Sequence, residues 1–190
     1  MTNLTPDATG TLDPSPSDPG SIRVWDGFVR LFHWSLVALF AFAFATGDEW
    51  QKPHELAGYV IAGLVAARIV WGFAGPAHAR FRDFVHRPGT IFRFLMDSLA
   101  MKARRYIGHN PAGGAMVLAL LTMLIVISGS GYAMTTDMFW GVKWVEELHE
   151  ATVYLTLGLI VLHVAGVILA SIEHSENLVR SMITGRKRAG

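Results

Sequence analysis

His33, His54, His149 and His163 are the side chains best placed for chemistry, because each lies within a long apolar run or at its mouth. An ionisable group inside a bilayer costs several kcal/mol unless it is paired or ligated, so an intramembrane histidine is a functional residue by default. His149 and His163 stand 14 residues apart, almost four helical turns. Both imidazoles therefore project from one helix face, separated by roughly 21 Å along the axis. His33 lies near the start of one run and His54 opens the next. Consecutive spans run in opposite directions, so these two rings sit at opposite ends. The pairs that follow are His54 with His149 at one depth and His33 with His163 at the other.

Two opposed neutral imidazoles are the axial ligand set of a b-type haem, which needs a cleft between helices and no covalent link. Zinc would want three or four ligands close together. The absence of Cys excludes disulfides, thiolate zinc, iron–sulfur clusters and covalently attached c-type haem. Gly58, one turn from His54, and Gly166, three residues from His163, leave room for a flat macrocycle, although glycine also serves close helix packing in membranes. Haem propionates need cationic partners. Arg30 and Arg68 fall at the depth of His33 and His163, and Lys52 is a cation at the other end. For both arginines the competing reading is snorkelling to headgroups. His78 and His86 read as solvated. His109, in the string GHNPAGG with Asn110, and His174 lie near the inner membrane face, where surface placement competes with proton transfer or contact with a quinone.

The elements that must position these residues are membrane spans. Of 190 residues, 52% are apolar and 16% charged, with a mean hydropathy of +0.36. That is too little charge to clothe a soluble globule. A net charge of +1 gives no ground for nucleic-acid binding. The expected fold is an all-α, integral membrane four-helix bundle holding two b-type haems between helices. The spans are expected at about 28–46, 54–73, 111–134 and 151–172, with Asn110 capping the third and Pro111 in its first turn. An amphipathic helix at about 89–105 is expected along the inner headgroups. Residues 1–21, rich in Pro, Asp, Ser and Gly, read as a disordered tail, and 22–190 as the four-span domain. The first run is too long and its upstream segment too acidic for a cleaved signal peptide. Arg and Lys crowd the second connection and the segment after the fourth span, while acids dominate the other two connections. Both termini are accordingly expected in the cytoplasm. The six Trp concentrate near span ends, as interfacial belts do.

RLFHW opening the first span, HELAGY opening the second, RIVWGF closing it, GHNPAGG at the third, and ELHEA with VLHVAG in the fourth together resemble the bacterial cytochrome b561 family. That family includes the b-type subunits of nickel–iron hydrogenases and of related respiratory oxidoreductases. The resemblance runs from about Val24 to Arg188. It implies a di-haem bundle in the bacterial inner membrane that exchanges electrons between membrane quinone and a redox partner. His54 and His149 match the outer haem ligands, and His33 and His163 the inner ones. Quinone beside the inner haem would have His109 and Asn110 as neighbours. The implied partners are membrane lipid, quinone or quinol, and a c-type cytochrome or a hydrogenase-like protein; a homodimer stays open. Two alternatives stay open as well. One is an anchor or assembly subunit of a respiratory oxidoreductase such as a hydrogenase. The other is a proton or metal-ion transporter, although the span interiors hold no Asp or Glu.

Overall fold

The computed structural model of the chain describes residues 20–47 and 49–189. In chain order its elements are β1 (Ser21–Arg23), α1 (Gly27–Thr46), α2 (Gln51–Ala74), two single 3₁₀ turns (Ala77–Ala79 and Phe81–Asp83), α3 (Pro88–Leu99), α4 (Pro111–Met134), α5 (Lys143–Glu173), α6 (Leu178–Thr184) and β2 (Arg186–Arg188). Four of the helices, α1, α2, α4 and α5, are long and apolar enough to cross a membrane. This is an all-α bundle with one small strand pair added. Side chains such as Phe73 (74% exposed) and Val161 (68%) face outward from it, as lipid-facing residues must when lipid is the solvent.

Local chemistry sets the helix starts. Asp26 Oδ1 accepts from Val29 N at 3.0 Å and Asn110 Oδ1 from Gly113 N at 2.6 Å, each satisfying an amide that the helix leaves without a partner. Three boundaries differ from the sequence expectation. The fourth helix begins at Lys143 rather than near 151. Hydropathy marks where lipid begins, whereas Lys, Glu and Leu in KWVEELHE favour helix beyond it, and the buried Val145 anchors that extra turn. α2 likewise starts at Gln51. α3 stops at Leu99 instead of running to 105, because Met101 adopts a left-handed backbone (φ 55°) that a right-handed helix cannot continue. Of the tail expected over 1–21, Ser21 is paired in β1; residues 1–19 lie outside the described residues.

The apolar core is built from three of the four spans. Phe32 and Ala43 of α1, Ala57, Ile61 and Val65 of α2, and Leu121 and Leu124 of α4 are its buried members. α5 supplies none. It packs along α4 and makes little backbone contact with α1 or α2, which leaves a seam between α5 and those two helices.

One end of the bundle is closed by a clasp made from both ends of the chain. β1 and β2 pair antiparallel, with Ile22 opposite Lys187. Gly185 turns α6 into β2 at a φ of 80°, a conformation glycine adopts without steric cost. Arg105, from the α3–α4 connection, bridges to Glu176 at 3.1 Å and donates to the Arg188 carbonyl at 2.6 Å. The Lys187 ammonium is buried over the Trp25 ring at 5.6 Å and donates to the Tyr106 carbonyl at 3.4 Å. The hydrogen bonds from Arg105 and from Arg188 N outweigh partial burial and hold the Glu176 carboxyl below its ordinary range.

Candidate functional site

Two pairs of imidazoles face each other across the seam. Near the clasp, His33 of α1 and His163 of α5 have ring centroids 6.5 Å apart. At the far end, His54 of α2 and His149 of α5 have centroids 6.1 Å apart. The fold thus brings α5, which shares no core with α1 or α2, opposite each of them at a histidine. Among the described residues no group of three or more His, Cys, Asp or Glu comes together, so the histidines are arranged as pairs.

The far pair is fixed by backbone carbonyls. His54 Nδ1 lies 2.8 Å from the Ala43 carbonyl oxygen, and His149 Nδ1 lies 3.1 Å from that of Ile127. A carbonyl oxygen can only accept, so both Nδ1 atoms carry the ring proton and both Nε2 atoms keep a free lone pair. Two neutral imidazoles with available Nε2 are the donor set a metal wants. Ser130 Oγ also contacts His149 Nδ1, at 3.1 Å. A Cβ added at Gly131 would lie 3.2 Å from His149 Cε1, so the absence of a side chain there lets the ring sit against α4. The pair near the clasp is held differently: His33 Nδ1 is buried without a hydrogen-bond partner. A Cβ added at Gly58 or at Gly166 would meet nothing within 4 Å, which leaves open space on both helices near their histidines.

The two arginines are partly engaged with protein. Arg30 Nη2 donates to the Ile183 carbonyl of α6, and its Nε is buried with no partner. Arg68, 2% exposed, donates from Nη2 to the Ala79 carbonyl at 3.2 Å and lies over the Phe81 ring at 5.3 Å. Its Nη1 is likewise buried and unpaired. Each guanidinium therefore keeps one desolvated donor that an anion would satisfy.

His109 is packed between Trp25 and Phe84, with ring centroids 4.7 Å from each. Burial, reinforced by the cations Arg68 and Lys187, pushes its pKa down to about 3, so it is neutral at physiological pH. It lines a cavity of about 350 Å³ together with His78, Asp83, Phe84, Tyr106 and Gly108. Asn110 is not on that wall, and its side-chain oxygen is committed to the α4 cap. His78, read from sequence as solvated, is exposed and also lines the cavity. Sequence reasoning missed Ser130 and Gly131. The i to i+1 placement of a hydroxyl and a glycine beside a facing histidine carries no signal until α4 and α5 are seen to pack.

The model of the prokaryotic cytochrome b561 family matches residues 24–185. The chain belongs to that family. It is similar to several curated proteins, each named "Probable Ni/Fe-hydrogenase B-type cytochrome subunit". The one from Rhodobacter capsulatus is 23% identical over 97% of this chain and 88% of the relative. That from Cupriavidus necator is 24% identical, covering 94% of this chain and 93% of the relative, and that from Azotobacter vinelandii is 24% identical over 87% and 88%. No solved structure matches the chain. As a cytochrome b561 the chain is a multi-pass membrane protein with b-type haem as cofactor, and its activity is transmembrane electron transfer. The residues present fit that cofactor. Each pair would offer the haem two imidazoles that face each other across the seam, with ring centroids 6.5 and 6.1 Å apart.

Proposed function

We propose that this cytochrome b561 holds two haems, one ligated by His54 and His149 and the other by His33 and His163, and passes electrons between membrane quinone and a redox partner on the opposite side. The observation that carries this reading is the pair of imidazole couples, one toward each end of α5, each facing a different helix. Bound haem supplies the one-electron redox chemistry. The chain's own part is to fix the imidazoles, to leave Gly58 and Gly166 bare beside them, and to offer the unpaired Arg30 Nε and Arg68 Nη1 to the propionates of the haem near the clasp. The arginine-rich clasp faces the cytoplasm and the acidic connections face outward across the bacterial inner membrane, because basic connections resist translocation.

Quinone binds near the clasp, beside His109, whose neutral ring is a hydrogen-bonding neighbour for it. A two-electron, two-proton carrier must be served one electron at a time, so a group that can pass a proton from the aqueous face belongs beside it. The cavity lined by His109, His78, Asp83 and Tyr106 offers that route. Asn110 adjoins His109 in the chain, and its side-chain oxygen is tied to the α4 cap.

The names of the relatives favour a hydrogenase as the outer partner. They also support a second reading, in which the chain is chiefly an anchor for such an enzyme. Proteoliposomes separate the two. With quinol in the bilayer and an impermeant one-electron acceptor on the far side, the wild-type chain is expected to reduce the acceptor and His163→Ala to abolish it. Undiminished transfer by His163→Ala contradicts the relay, and membrane attachment of a partner enzyme that survives loss of both haems supports the anchor.

A further inference from the structure

His149 and His54 share a device that the other pair lacks, and at His149 it is doubled. The His149 ring N–H faces both the Ile127 carbonyl and Ser130 Oγ, each at 3.1 Å. Ser130 directs its own proton to the Val126 and Ile127 carbonyls, at 2.7 and 3.1 Å, so toward the ring its oxygen can only accept. The buried hydroxyl (Ser130 is 6% exposed) is thereby oriented by α4 and cannot turn to donate to Nδ1 without giving up a backbone partner. Neither His33 nor His163 has a comparable acceptor among the described residues, and His33 Nδ1 is buried and unpaired.

An imidazole whose Nδ1–H donates to a good acceptor becomes a more basic ligand through Nε2. Greater donation stabilises the oxidised state of a ligated iron, and hydrogen bonding around axial ligands is one of the protein's levers on haem potential. We propose that Ser130 is a positioning residue for His149: it adds a second acceptor to the Nδ1–H that the Ile127 carbonyl already sets, and so lowers the reduction potential of the iron held by the His54–His149 pair. This rests on the assignment of that pair as haem ligands. Among the histidines of the two pairs Ser130 contacts His149, so its effect travels through one imidazole and is expected to be confined to one centre.

The test is a spectroscopic redox titration of the full-length protein in detergent, comparing wild type, Ser130→Ala and Ser130→Thr. The centre belonging to the His54–His149 pair is identified as the one that survives in His163→Ala. In Ser130→Ala that centre is expected to titrate at a more positive potential while the other is unmoved, and Ser130→Thr, which keeps the hydroxyl, is expected to return it toward wild type. If the alanine variant loses the centre outright, Ser130→Cys takes its place. Its thiol is a weaker acceptor, and a smaller positive shift is expected. Two retained centres with unchanged potentials overturn the role of Ser130, as does a threonine variant displaced as far as alanine. A wild-type chain that binds fewer than two haems overturns the ligand assignment instead.

Discussion

At the scale of single residues, what decides the behaviour of each histidine is what its Nδ1 atom meets. Ala43 and Ile127 supply carbonyls to His54 and His149, and these contacts force the tautomer that leaves Nε2 free. Gly131 is part of the same arrangement. A Cβ there would press within 3.2 Å of a ring pinned by two acceptors. Gly131→Ala is therefore expected to weaken haem retention by the His54–His149 pair by an overpacking cost of about 1–3 kcal/mol, measured as haem lost per chain on dilution; unchanged retention would show that the ring can give way. His109 gives a pH prediction. Its pKa near 3 lies below the 6.5 of an unfolded histidine, so the unfolded chain binds the extra proton more readily. The stability this contributes is whole above pH 6.5 and is lost as pH falls toward 3. Thermal midpoints in detergent are expected to drop between pH 7.5 and 5, and His109→Gln is expected to flatten that slope. An equal slope in the variant assigns the acid sensitivity elsewhere.

At the scale of elements, α4 and α5 show what a sequence discloses and what it withholds. The bounds of α4 are legible because Asn110, Pro111 and an uncharged run say where it starts and stops, and 111–134 matches Pro111–Met134. The start of α5 is not legible from hydropathy. The segment from Lys143 to Glu150 is charged and its helicity comes from propensity and from the burial of Val145, so His149 lies inside the helix rather than at its mouth. The meeting of His149 with His54, and of His163 with His33, was legible because 14 residues return to the same helix face whatever the surroundings. Ser130 was not, since its contact depends on how two helices pack. Removing the cap oxygen in Asn110→Ala is expected to cost about 1 kcal/mol, seen as a lower thermal midpoint with the haem spectrum intact. A spectrum altered with no loss of stability would mean that Asn110 touches a cofactor or quinone.

At the scale of the molecule, three spans share an apolar core and the fourth stands across a seam. On the proposed ligand assignment the haems occupy that seam, and their loss is expected to loosen α5 before α1, α2 or α4, read as faster amide hydrogen exchange in α5 of the haem-free chain. The clasp ties both chain ends to the α3–α4 connection through Glu176 and Arg105. With its carboxyl held below the ordinary glutamate range, Glu176 contributes stability at neutral pH that disappears as acid protonates it. Glu176→Gln is expected to raise proteolysis near residues 176–188 at pH 7 and to leave the difference from wild type smaller at pH 3; equal cleavage at both pH values would assign the clasp to its other bonds. The strand pair was invisible in the sequence because three residues per strand carry no periodicity and the pairing partner lies at the opposite end of the chain.

The most direct test of the account is the number of haems bound by the purified chain and by its single histidine variants. Two per chain in the wild type are expected, and one in each of His33→Ala, His54→Ala, His149→Ala and His163→Ala. A wild-type chain binding one haem, or any of these four variants still binding two, would contradict it.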